Sequence, residues 1–272
     1  MLPMQCWRRA ASVYTDMGIS GPAIAGLFFA CPSHGGFLYT GARISDIQAE
    51  MKQAPQSKNS AKNSEEVASR LVKTGIRLFG EKGTAVSLRE VQRKAGVLNE
   101  AAIRYYFGKR DNFIEACMRD VAERFDHFTR EAWREFGERK ARRAVTVRDI
   151  STVLVKSLYY FLLQDRASVW FMARMIREEG DLGQDLLIRY FGSLIWRLEE
   201  EIREVIPDKP PKLVRLHLFL AINSSLNGMV DQGLLWRLPD LEGKANSFQL
   251  DFEDFAKGFI GYISAGIEAE WP

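Results

Sequence analysis

The stretch from Ser87 to Phe107 has the residue types and spacing of a surface that binds DNA. It predicts two short helices joined by a turn at Gly96, with Arg104 and Tyr105 on the open face of the second helix. In a helix-turn-helix, one helix lies in the major groove of DNA and the other braces it. An arginine there can pair with the O6 and N7 atoms of guanine, and a tyrosine hydroxyl can bind a phosphate. The segment therefore predicts binding to double-stranded DNA.

Positive charge is concentrated around this stretch. Between Lys52 and Arg119 there are 14 basic and 7 acidic residues, so the segment carries +7 although the whole chain carries +3. Residues 1–51 are balanced, and the remainder from Asp120 is acidic. Such asymmetry is typical of a protein with one end that faces nucleic acid and a neutral to acidic body.

Composition and motifs argue against several other classes. A chain of 272 residues with a hydrophobic fraction of 46% is typical of a globular protein. The cysteines are Cys6, Cys31 and Cys117, and the histidines are His34, His127 and His217. Their scatter gives neither a disulfide framework nor a metal site, and no cofactor is expected. The sequence has no apolar run of 18 residues and no Gly-rich phosphate loop, G-x-S-x-G or H-E-x-x-H motif. We therefore expect no membrane span, no catalytic residue and no enzyme activity.

The first 50 residues are irregular in composition. The short apolar run 19–30 permits one interpretation as a signal peptide that is cleaved before Cys31. Glycine and proline interrupt that run, and export would serve no purpose for a DNA-binding protein. We therefore expect residues 1–50 to be an irregular extension from an over-extended start, and residues 51–63, which follow from Met51, to be a flexible polar arm.

From Ser64 onward, apolar residues recur at helical spacing, which predicts an all-α fold without strands. Ser64 is expected to cap a first helix, Ser87 a second and Asn99 a third, while Gly80 and Gly83 close the first. The second to ninth helices are predicted at 88–95, 100–106, 111–136, 147–164, 166–179, 182–206, 211–235 and 252–270. These helices would form a compact basic head and a longer helical body.

The head resembles the tetracycline-repressor (TetR) family of transcription regulators. The similarity is specific over 67–118 and only architectural beyond. It is carried by Leu78, Phe79 and Gly83, by Ser-Leu-Arg-Glu-Val at 87–91, by Ala-Gly-Val at 95–97 and by the run Asn-Glu-Ala-Ala-Ile-Arg-Tyr-Tyr-Phe-Gly-Lys-Arg-Asp-Asn-Phe at 99–113. The chain departs from the family at Gln92, where a small alanine is usual, and at Leu98, an extra residue in the turn. The approach from Gly83 to Ser87 is also about one residue shorter than usual.

The resemblance implies a helix-turn-helix DNA-binding domain of three helices over 64–110 and a helical effector-binding and dimerisation domain over 111–272. It also implies a function, namely that of a cytoplasmic, ligand-responsive regulator, most often a repressor, that binds a palindromic operator as a homodimer. An alternative is a helical small-molecule-binding or interaction protein that does not bind DNA. An electrophoretic shift on DNA separates the two.

The candidate DNA-binding residues are Ser87, Asn99, Ala101, Ala102, Arg104, Tyr105, Tyr106, Lys109 and Arg110. Ser87 and the amides that open helix two are expected to hold one phosphate. By its correspondence to the family's lysine at the start of helix four, Arg110 is expected to hold another, with Lys109 beside it.

The same correspondence places Ala101, Ala102, Arg104 and Tyr105 on the exposed face of helix three, with Ile103 and Phe107 toward the core. Both alanines would allow close approach to a thymine methyl group. Tyr105 and Tyr106 offer hydroxyls to phosphates, and one of the two rings is expected to pack inward.

The body is rich in aromatic residues at helical spacing, which are usually core. The resemblance implies an apolar pocket there for a small apolar or aromatic effector. Candidate lining residues are Trp170, Met175, Tyr190, His217 and Asn223. His217 and Asn223 could orient a ligand, although such residues more often satisfy hydrogen bonds in a core.

The last two helices are expected to pair with their copies across a two-fold axis. Small residues on these helices would permit close contact: Gly228, Gly258, Gly261, Ser264, Ala265 and Gly266. A dimer would place two reading heads about 34–36 Å apart, which is one turn of DNA.

Overall fold

The computed structural model describes residues 58–99, 101–239, 242–244 and 251–270. By its contacts the chain divides between Pro55 and Gln56, and all described residues belong to the unit Gln56–Pro272. The predicted extension over 1–50 lies outside the described residues. The predicted boundary between head and body, at 110/111, falls within this unit and stays a prediction.

The described residues form nine α-helices and no strand, which confirms the all-α prediction. The helices are α1 Lys58–Lys82, α2 Leu88–Lys94, α3 Ala102–Phe107, α4 Arg110–Lys140, α5 Val147–Gln164, α6 Arg166–Glu178, α7 Gly180–Val205, α8 Pro211–Arg237 and α9 Phe252–Glu268. The first three form a helix-turn-helix head, and the other six form the body.

The predicted bounds of α5 coincide with the observed ones because capping residues fix its start. Thr146 Oγ1 accepts a hydrogen bond from the Asp149 N–H at 3.3 Å, and Asp149 Oδ2 accepts one from the Thr146 N–H at 2.9 Å. This reciprocal pair is a capping box, and it satisfies two donors that the helix itself cannot.

Four predicted helix starts are wrong. Two of them are late by one and two residues, since α4 begins at Arg110 and α7 at Gly180. α1 begins at Lys58, so Ser64 lies inside the helix, and residues 58–63 are helical rather than part of an arm. Apart from Ala61 those residues are polar, and they give no apolar face that periodicity could reveal. α3 begins at Ala102 instead of residue 100, because the Asn99 side chain first closes a turn by accepting the Ala101 N–H at 2.9 Å.

Four phenylalanine rings form a continuous aromatic seam that runs from the head into the body. Phe107 of α3 contacts Phe113 of α4 with ring centroids 5.0 Å apart, and Phe113 contacts Phe79 of α1 at 6.1 Å. Phe79 then stacks on Phe171 of α6 at 6.3 Å. Such ring pairs contribute about 0.5–1.5 kcal/mol each beyond the burial of their area. The seam therefore joins four helices into one core.

The backbones of α1 and α6 approach each other closely at Gly80. A Cβ atom added to Gly80 would overlap the backbone carbonyl oxygen of Ala167 and lie 3.2 Å from the amide nitrogen of Phe171. Only glycine therefore fits at this crossing without a shift of one helix. The close approach places Phe79, the neighbour of Gly80, directly against α6.

Ion pairs fix the far end of α4 to α5 and α7. Arg143, just after α4, binds both carboxylate oxygens of Asp149 at 2.8 and 2.9 Å. The Arg143 guanidinium, with help from Thr146, lowers the pKa of Asp149 to about 2. Lys140 Nζ lies 2.7 Å from Glu201 and 2.6 Å from Glu204 on α7. The basic cluster at residues 139–143 thus includes ion pairs that hold the body together.

The outer side of α8 is apolar and largely uncovered. By length and composition alone α8 could cross a membrane, but this is weak evidence, because core helices pass the same test; 33% of its apolar window is buried. The large exposed apolar residues of α8 are Leu216, Phe219, Leu220 and Leu234. Their exposure leaves an apolar face without a covering element among the described residues.

Two of the small residues predicted at a dimer interface lie inside the protomer instead. Gly228 of α8 lies under the ring of Phe259, where a Cβ atom would overlap that ring. Ser264 of α9 is buried, and its hydroxyl donates to Ile260 O. Gly258, Ala265 and Gly266 are exposed, which leaves a small-residue face on α9.

Replacing Gly80 by alanine tests the close approach of α1 and α6. We expect Gly80→Ala to lower the free energy of unfolding by about 1–3 kcal/mol, because the new methyl group must displace a helix backbone. Urea unfolding followed by circular dichroism measures this. Gly137→Ala is the matched control, since Gly137 lies in a helix with nothing within 4 Å of the added Cβ. The control is expected to stabilise by about 0.5–1 kcal/mol. Equal effects of the two variants would contradict the tight crossing.

Candidate nucleic-acid interface

The turn between α2 and α3 is fixed by a left-handed glycine and two backbone hydrogen bonds. Gly96 has φ of +66°, a conformation that a residue with a side chain adopts only at a cost. The Gly96 N–H donates to Arg93 O at 3.2 Å, and the Val97 N–H donates to Gln92 O at 3.0 Å. These bonds satisfy carbonyls at the end of α2 and give the chain one direction into α3.

Gln92 ties the end of α2 to the start of α3. Its side chain is buried, and Nε2 donates to Asn99 O at 3.3 Å. The same carbonyl accepts the Ala102 N–H at 3.0 Å. Sequence reasoning marked Gln92 as a departure from the family but missed this link. The sequence did contain a signal for this link, because a polar amide side chain on the inner face of α2 needs a hydrogen-bond partner.

Ser87 caps α2, as predicted. Its Oγ accepts the Glu90 N–H at 3.2 Å, while its own backbone is extended. The Glu90 carboxylate turns instead toward the end of α1, where Lys82 Nζ lies 2.7 Å from Oε1. The hydrogen bond from Lys82 lowers the pKa of Glu90. α1 and α2 are thus joined at the side of the head that carries Ser87.

α3 separates an outer face from an inner one. Ala101, Arg104 and Tyr105 are exposed, and the Tyr105 side chain is 74% exposed. Tyr106 is half-buried and packs on the core with its ring 5.0 Å from that of Tyr105. The prediction that one of the two rings packs inward is therefore confirmed.

The prediction that Ala102 lies on the exposed face is wrong, because Ala102 is 3% exposed. The helix begins at Ala102, four residues before Tyr106, so both lie on the inner face. Ile103 and Phe107 form the adjacent inner row, as predicted. Of the two alanines, only Ala101 remains available to a groove.

Four cationic side chains are exposed around α2 and α3: Arg89, Arg93, Lys94 and Arg104. Within the described part of the chain, none of them forms an ion pair with a carboxylate. Sequence reasoning singled out only Arg104. Two of the others, Arg89 and Arg93, could have been found from their spacing, which places both on one face of α2. Together the four give the head a positive surface, in which Glu90 lies near enough to Arg93 and Lys94 for their charges to help lower its pKa.

Lys109 and Arg110 follow α3, and their side chains have different surroundings. Lys109 is exposed, with Nζ 3.8 Å from Asp111. The Arg110 guanidinium binds both oxygens of Glu179 at 2.7 and 2.8 Å and donates to Thr84 O at 2.7 Å. Arg110 is therefore engaged with the body, and its contact with a phosphate stays a prediction.

Leu98 projects entirely into solvent from the turn. Its side chain is 99% exposed, although it lies between Val97, which packs on the core, and Asn99, which closes the turn before α3 and does not cap the helix as predicted. The extra residue is thus accommodated by an outward loop, and the inner contacts of the turn are kept.

The five predicted effector residues lie on three helices of the body. Met175 is fully buried. Trp170 has the Arg166 guanidinium 4.6 Å from its ring centroid, and its indole N–H is buried without a partner among the described residues. The Tyr190 hydroxyl donates to Glu115 at 3.2 Å, and burial raises its pKa.

The other two predicted effector residues make structural contacts. His217 Nδ1 lies 3.3 Å from Ile267 O at the end of α9, and Asn223 Nδ2 donates to Phe219 O one turn earlier in α8. A cavity of about 290 Å³ between α4 and α5 is lined instead by His127, Phe128, Glu131, Ala132, Glu135, Lys156, Tyr160, Leu163 and Gln164. None of the five predicted residues lines it, and their role in effector binding stays a prediction.

No group of three His, Cys, Asp or Glu side chains within the described ranges is placed to hold a metal ion. Cys117 is fully buried, and this burial raises the pKa of its thiol well above the usual value. A buried neutral thiol is a poor nucleophile.

Part of the chain is similar in sequence to a curated transcription regulator. The chain is 31% identical over 105 residues to the HTH-type transcriptional dual regulator CecR of Shigella flexneri, a match that covers 37% of this chain and 46% of that protein. The chain thus spans about half the length of this curated relative. No family model matches the chain.

Two solved structures of regulators are also similar. The fatty acid degradation regulator FadR from Bacillus halodurans has a TM-score of 0.53 at 12% identity, over 75% of this chain and 97% of that one, which shows a shared all-α fold. RolR in complex with resorcinol has a TM-score of 0.42 at 14% identity, over 78% of this chain and 98% of that one.

Removing the cap of α2 tests the local stability of the interface. We expect Ser87→Ala to lower the free energy of unfolding by about 1 kcal/mol, because the Glu90 N–H loses its acceptor. Thermal or urea unfolding measures this loss. Ser69→Ala is the control, since Ser69 is an exposed residue inside α1. A Ser87→Ala protein as stable as the control variant would show that the cap contributes nothing.

Proposed function

We propose that the chain is a ligand-responsive, one-component transcription regulator of the TetR type, which binds a palindromic operator as a dimer and acts as a repressor. One observation carries the proposal: the outer face of α3, with Arg104 and Tyr105, lies beside exposed cationic side chains that have no described carboxylate partner. Proteins that bind DNA need such uncompensated charge to displace counterions from the phosphates.

The exposed residues divide between reading bases and holding phosphates. We assign base contact to Arg104, which is suited to the O6 and N7 atoms of guanine, and to Ala101, which is suited to a thymine methyl. We assign phosphate contact to the Tyr105 hydroxyl, the Ser87 hydroxyl and Lys109. Arg89 and Arg93 join this group, because they share the open face of α2.

The remaining predicted contacts have supporting roles in this proposal. Asn99 fixes the start of α3 through its side-chain bond to the Ala101 N–H. Tyr106 contributes its hydroxyl from a half-buried ring. The Arg110 side chain is 37% exposed, so a phosphate can approach it while it stays bound to Glu179.

The partner that covers the outer faces of α8 and α9 is, in this proposal, a second copy of the chain. Phe219 and Leu220 on α8 and Tyr262 on α9 are exposed, and they flank the exposed small residues Gly258 and Gly266. Large and small apolar residues on neighbouring helices permit the close packing of a four-helix interface. A two-fold axis through this interface would supply the second reading head that a palindromic site requires.

We further propose that a small apolar or aromatic effector binds in the body. The buried indole N–H of Trp170 and the buried side chain of Met175 support this assignment. In such a dimer the two heads could be spaced to fit the operator or spaced too widely to fit it. An effector that binds the second conformation more tightly would lower operator affinity, by an amount set by its difference in affinity for the two conformations. Since operators lie on the chromosome, we assign the protein to the cytoplasm. We expect it to bind the effector without chemical turnover.

An electrophoretic shift with the intergenic DNA upstream of the chain's own gene tests the function. Binding should weaken steeply between 50 and 200 mM salt, and it should survive an excess of unrelated duplex. If the purified chain shifts no genomic fragment at 50 mM salt, the protein is a helical ligand-binding or interaction protein without DNA function.

Arg104→Ala tests the assignment of base contact. We expect a loss of about 1–3 kcal/mol in operator affinity and a relaxed preference at one base pair, because the bidentate contact with guanine is removed. Fluorescence anisotropy with single-base operator variants measures both. Arg130→Ala is the control, since Arg130 is an exposed arginine of the body. An unchanged base preference would remove Arg104 from the reading surface.

Phe219→Glu tests the proposed dimer. We expect the variant to sediment as a monomer at concentrations where the wild-type chain is a dimer, because a carboxylate would be buried in an apolar interface. Analytical ultracentrifugation gives the mass directly. Leu163→Glu, at an exposed apolar residue of α5, is the control and should leave the mass unchanged. A monomeric wild-type chain would contradict the proposal.

A further inference from the structure

Two adjacent carboxylates lie at the corner between α6 and α7. Glu178 is the last residue of α6, Glu179 separates the two helices, and Gly180 opens α7 with φ of +53°. Both carboxylates are turned toward the head. Each binds a different end of the segment that contains the helix-turn-helix.

Glu178 holds the entry to the helix-turn-helix. Its Oε2 accepts the backbone N–H of Thr84 at 2.7 Å, and Thr84 is a buried residue three positions before the cap Ser87. Arg174 holds this carboxylate in place, because its Nη1 donates to Oε1 at 2.6 Å and its Nε donates to Gly80 O at 2.9 Å. The loop that leads into α2 is therefore fastened to α6.

Glu179 holds the exit from the helix-turn-helix. It binds Arg110, the first residue of α4 and the third after Phe107, through two hydrogen bonds of 2.7 and 2.8 Å. The same guanidinium donates to Thr84 O at 2.7 Å. One arginine thus joins the entry loop, the exit and the corner of the body.

These contacts are of a kind that resists loosening. The Glu179 side chain is only 10% exposed, and the hydrogen bond from Arg110 lowers the pKa of its carboxyl, so the pair is charged at neutral pH. Charge-assisted, two-point bonds of this type are short and directional. Loss of the Glu179 or the Arg110 side chain would leave the charge of the other poorly solvated, so we expect removal of either one to disrupt this contact.

We propose that Glu178 and Glu179 are positioning residues, which set the orientation of the helix-turn-helix on the body and thereby the affinity for operator DNA, without touching DNA themselves. The proposal rests on the DNA-binding function proposed above. A change in packing at the corner of α6 and α7 would reach both ends of the helix-turn-helix at once. The corner is therefore where the body controls the head.

The sign of the effect separates positioning from simple electrostatics. Removing a carboxylate beside a DNA-binding head reduces repulsion of the phosphates, so electrostatics alone predicts tighter binding to any duplex. Loss of positioning predicts weaker binding to the operator, with binding to unrelated DNA unchanged or tighter. A merely structural carboxylate would leave the ratio of the two affinities unaltered.

Glu179→Gln tests the proposal, because the amide keeps the shape but cannot form the charged two-point pair. Glu115→Gln is the matched control, since Glu115 accepts from Arg189 and Tyr190 between α4 and α7 and has no recorded bond to Thr84 or Arg110. In hydrogen exchange, we expect the amides of residues 88–107 to exchange about tenfold faster in Glu179→Gln, while those of 150–162 stay as in the wild-type chain. This measurement needs no DNA.

Affinity is then measured on the DNA fragment that the electrophoretic shift identifies. We expect Glu179→Gln to bind it about five- to 50-fold more weakly, which lies in the usual range for coupling between sites. Glu115→Gln should bind it like the wild-type chain. Glu178→Gln, which keeps an acceptor for Thr84, serves as a milder second variant should Glu179→Gln unfold. Unchanged exchange in 88–107, or tighter operator binding, would overturn the positioning role while DNA binding stands. A wild-type chain that binds no fragment would overturn DNA binding itself.

Discussion

The close contact between the backbones of α1 and α6 at Gly80 is the constraint on which the other features depend. It brings Phe79 against Phe171 and so continues the aromatic seam from the head into the body. Phe79 is fully buried, and Phe171 of α6 contributes to that burial by stacking on its ring. The helix-turn-helix and the body therefore share a core, and a shift of α6 would displace α1.

Electrostatics divides the chain into two kinds of charged side chain. Those that hold elements together are paired at short range, as Arg143 is with Asp149 and Arg110 with Glu179. Those on the outer faces of α2 and α3, such as Arg89 and Arg104, are exposed and form no ion pair with a carboxylate of the described residues. Net charge alone does not separate these groups, since the excess of basic residues in this segment includes both. The paired side chains stabilise the packing of the helices, whereas the exposed cations of α2 and α3 are accessible to a ligand.

Much of the fold could be predicted from the sequence because local rules govern it. Helical periodicity located all nine helices, and where a capping box is present, as at Thr146, the boundary was also correct. The start of α3 was missed because the Asn99 turn competes with the helix for the same amides. The exposure predicted for Ala102 was wrong for another reason, because Ala102 shares a helix face with Tyr106, which packs on the core.

The partner of Arg110 could not be predicted from the sequence. Glu179 lies 69 positions further along the chain, and no periodicity links the two residues. The predicted phosphate contact of Arg110 rested on its correspondence to the family's lysine at the start of helix four, and that correspondence carries no information about the body. The same limit applies to Trp170 and Tyr190, because aromatic residues at helical spacing serve equally well in a packed core or in a pocket.

The length of α4 has a mechanical consequence. Its 31 residues extend about 46 Å at 1.5 Å per residue, from the exit of the helix-turn-helix to the ion pairs of Lys140 with α7. A tilt of about 5° around the Lys140 end would displace the Arg110 end by about 4 Å, slightly more than the roughly 3.4 Å rise of one base pair along a strand. Substitutions at that remote end could therefore change the preferred spacing of operator half-sites without altering any side chain that faces the groove.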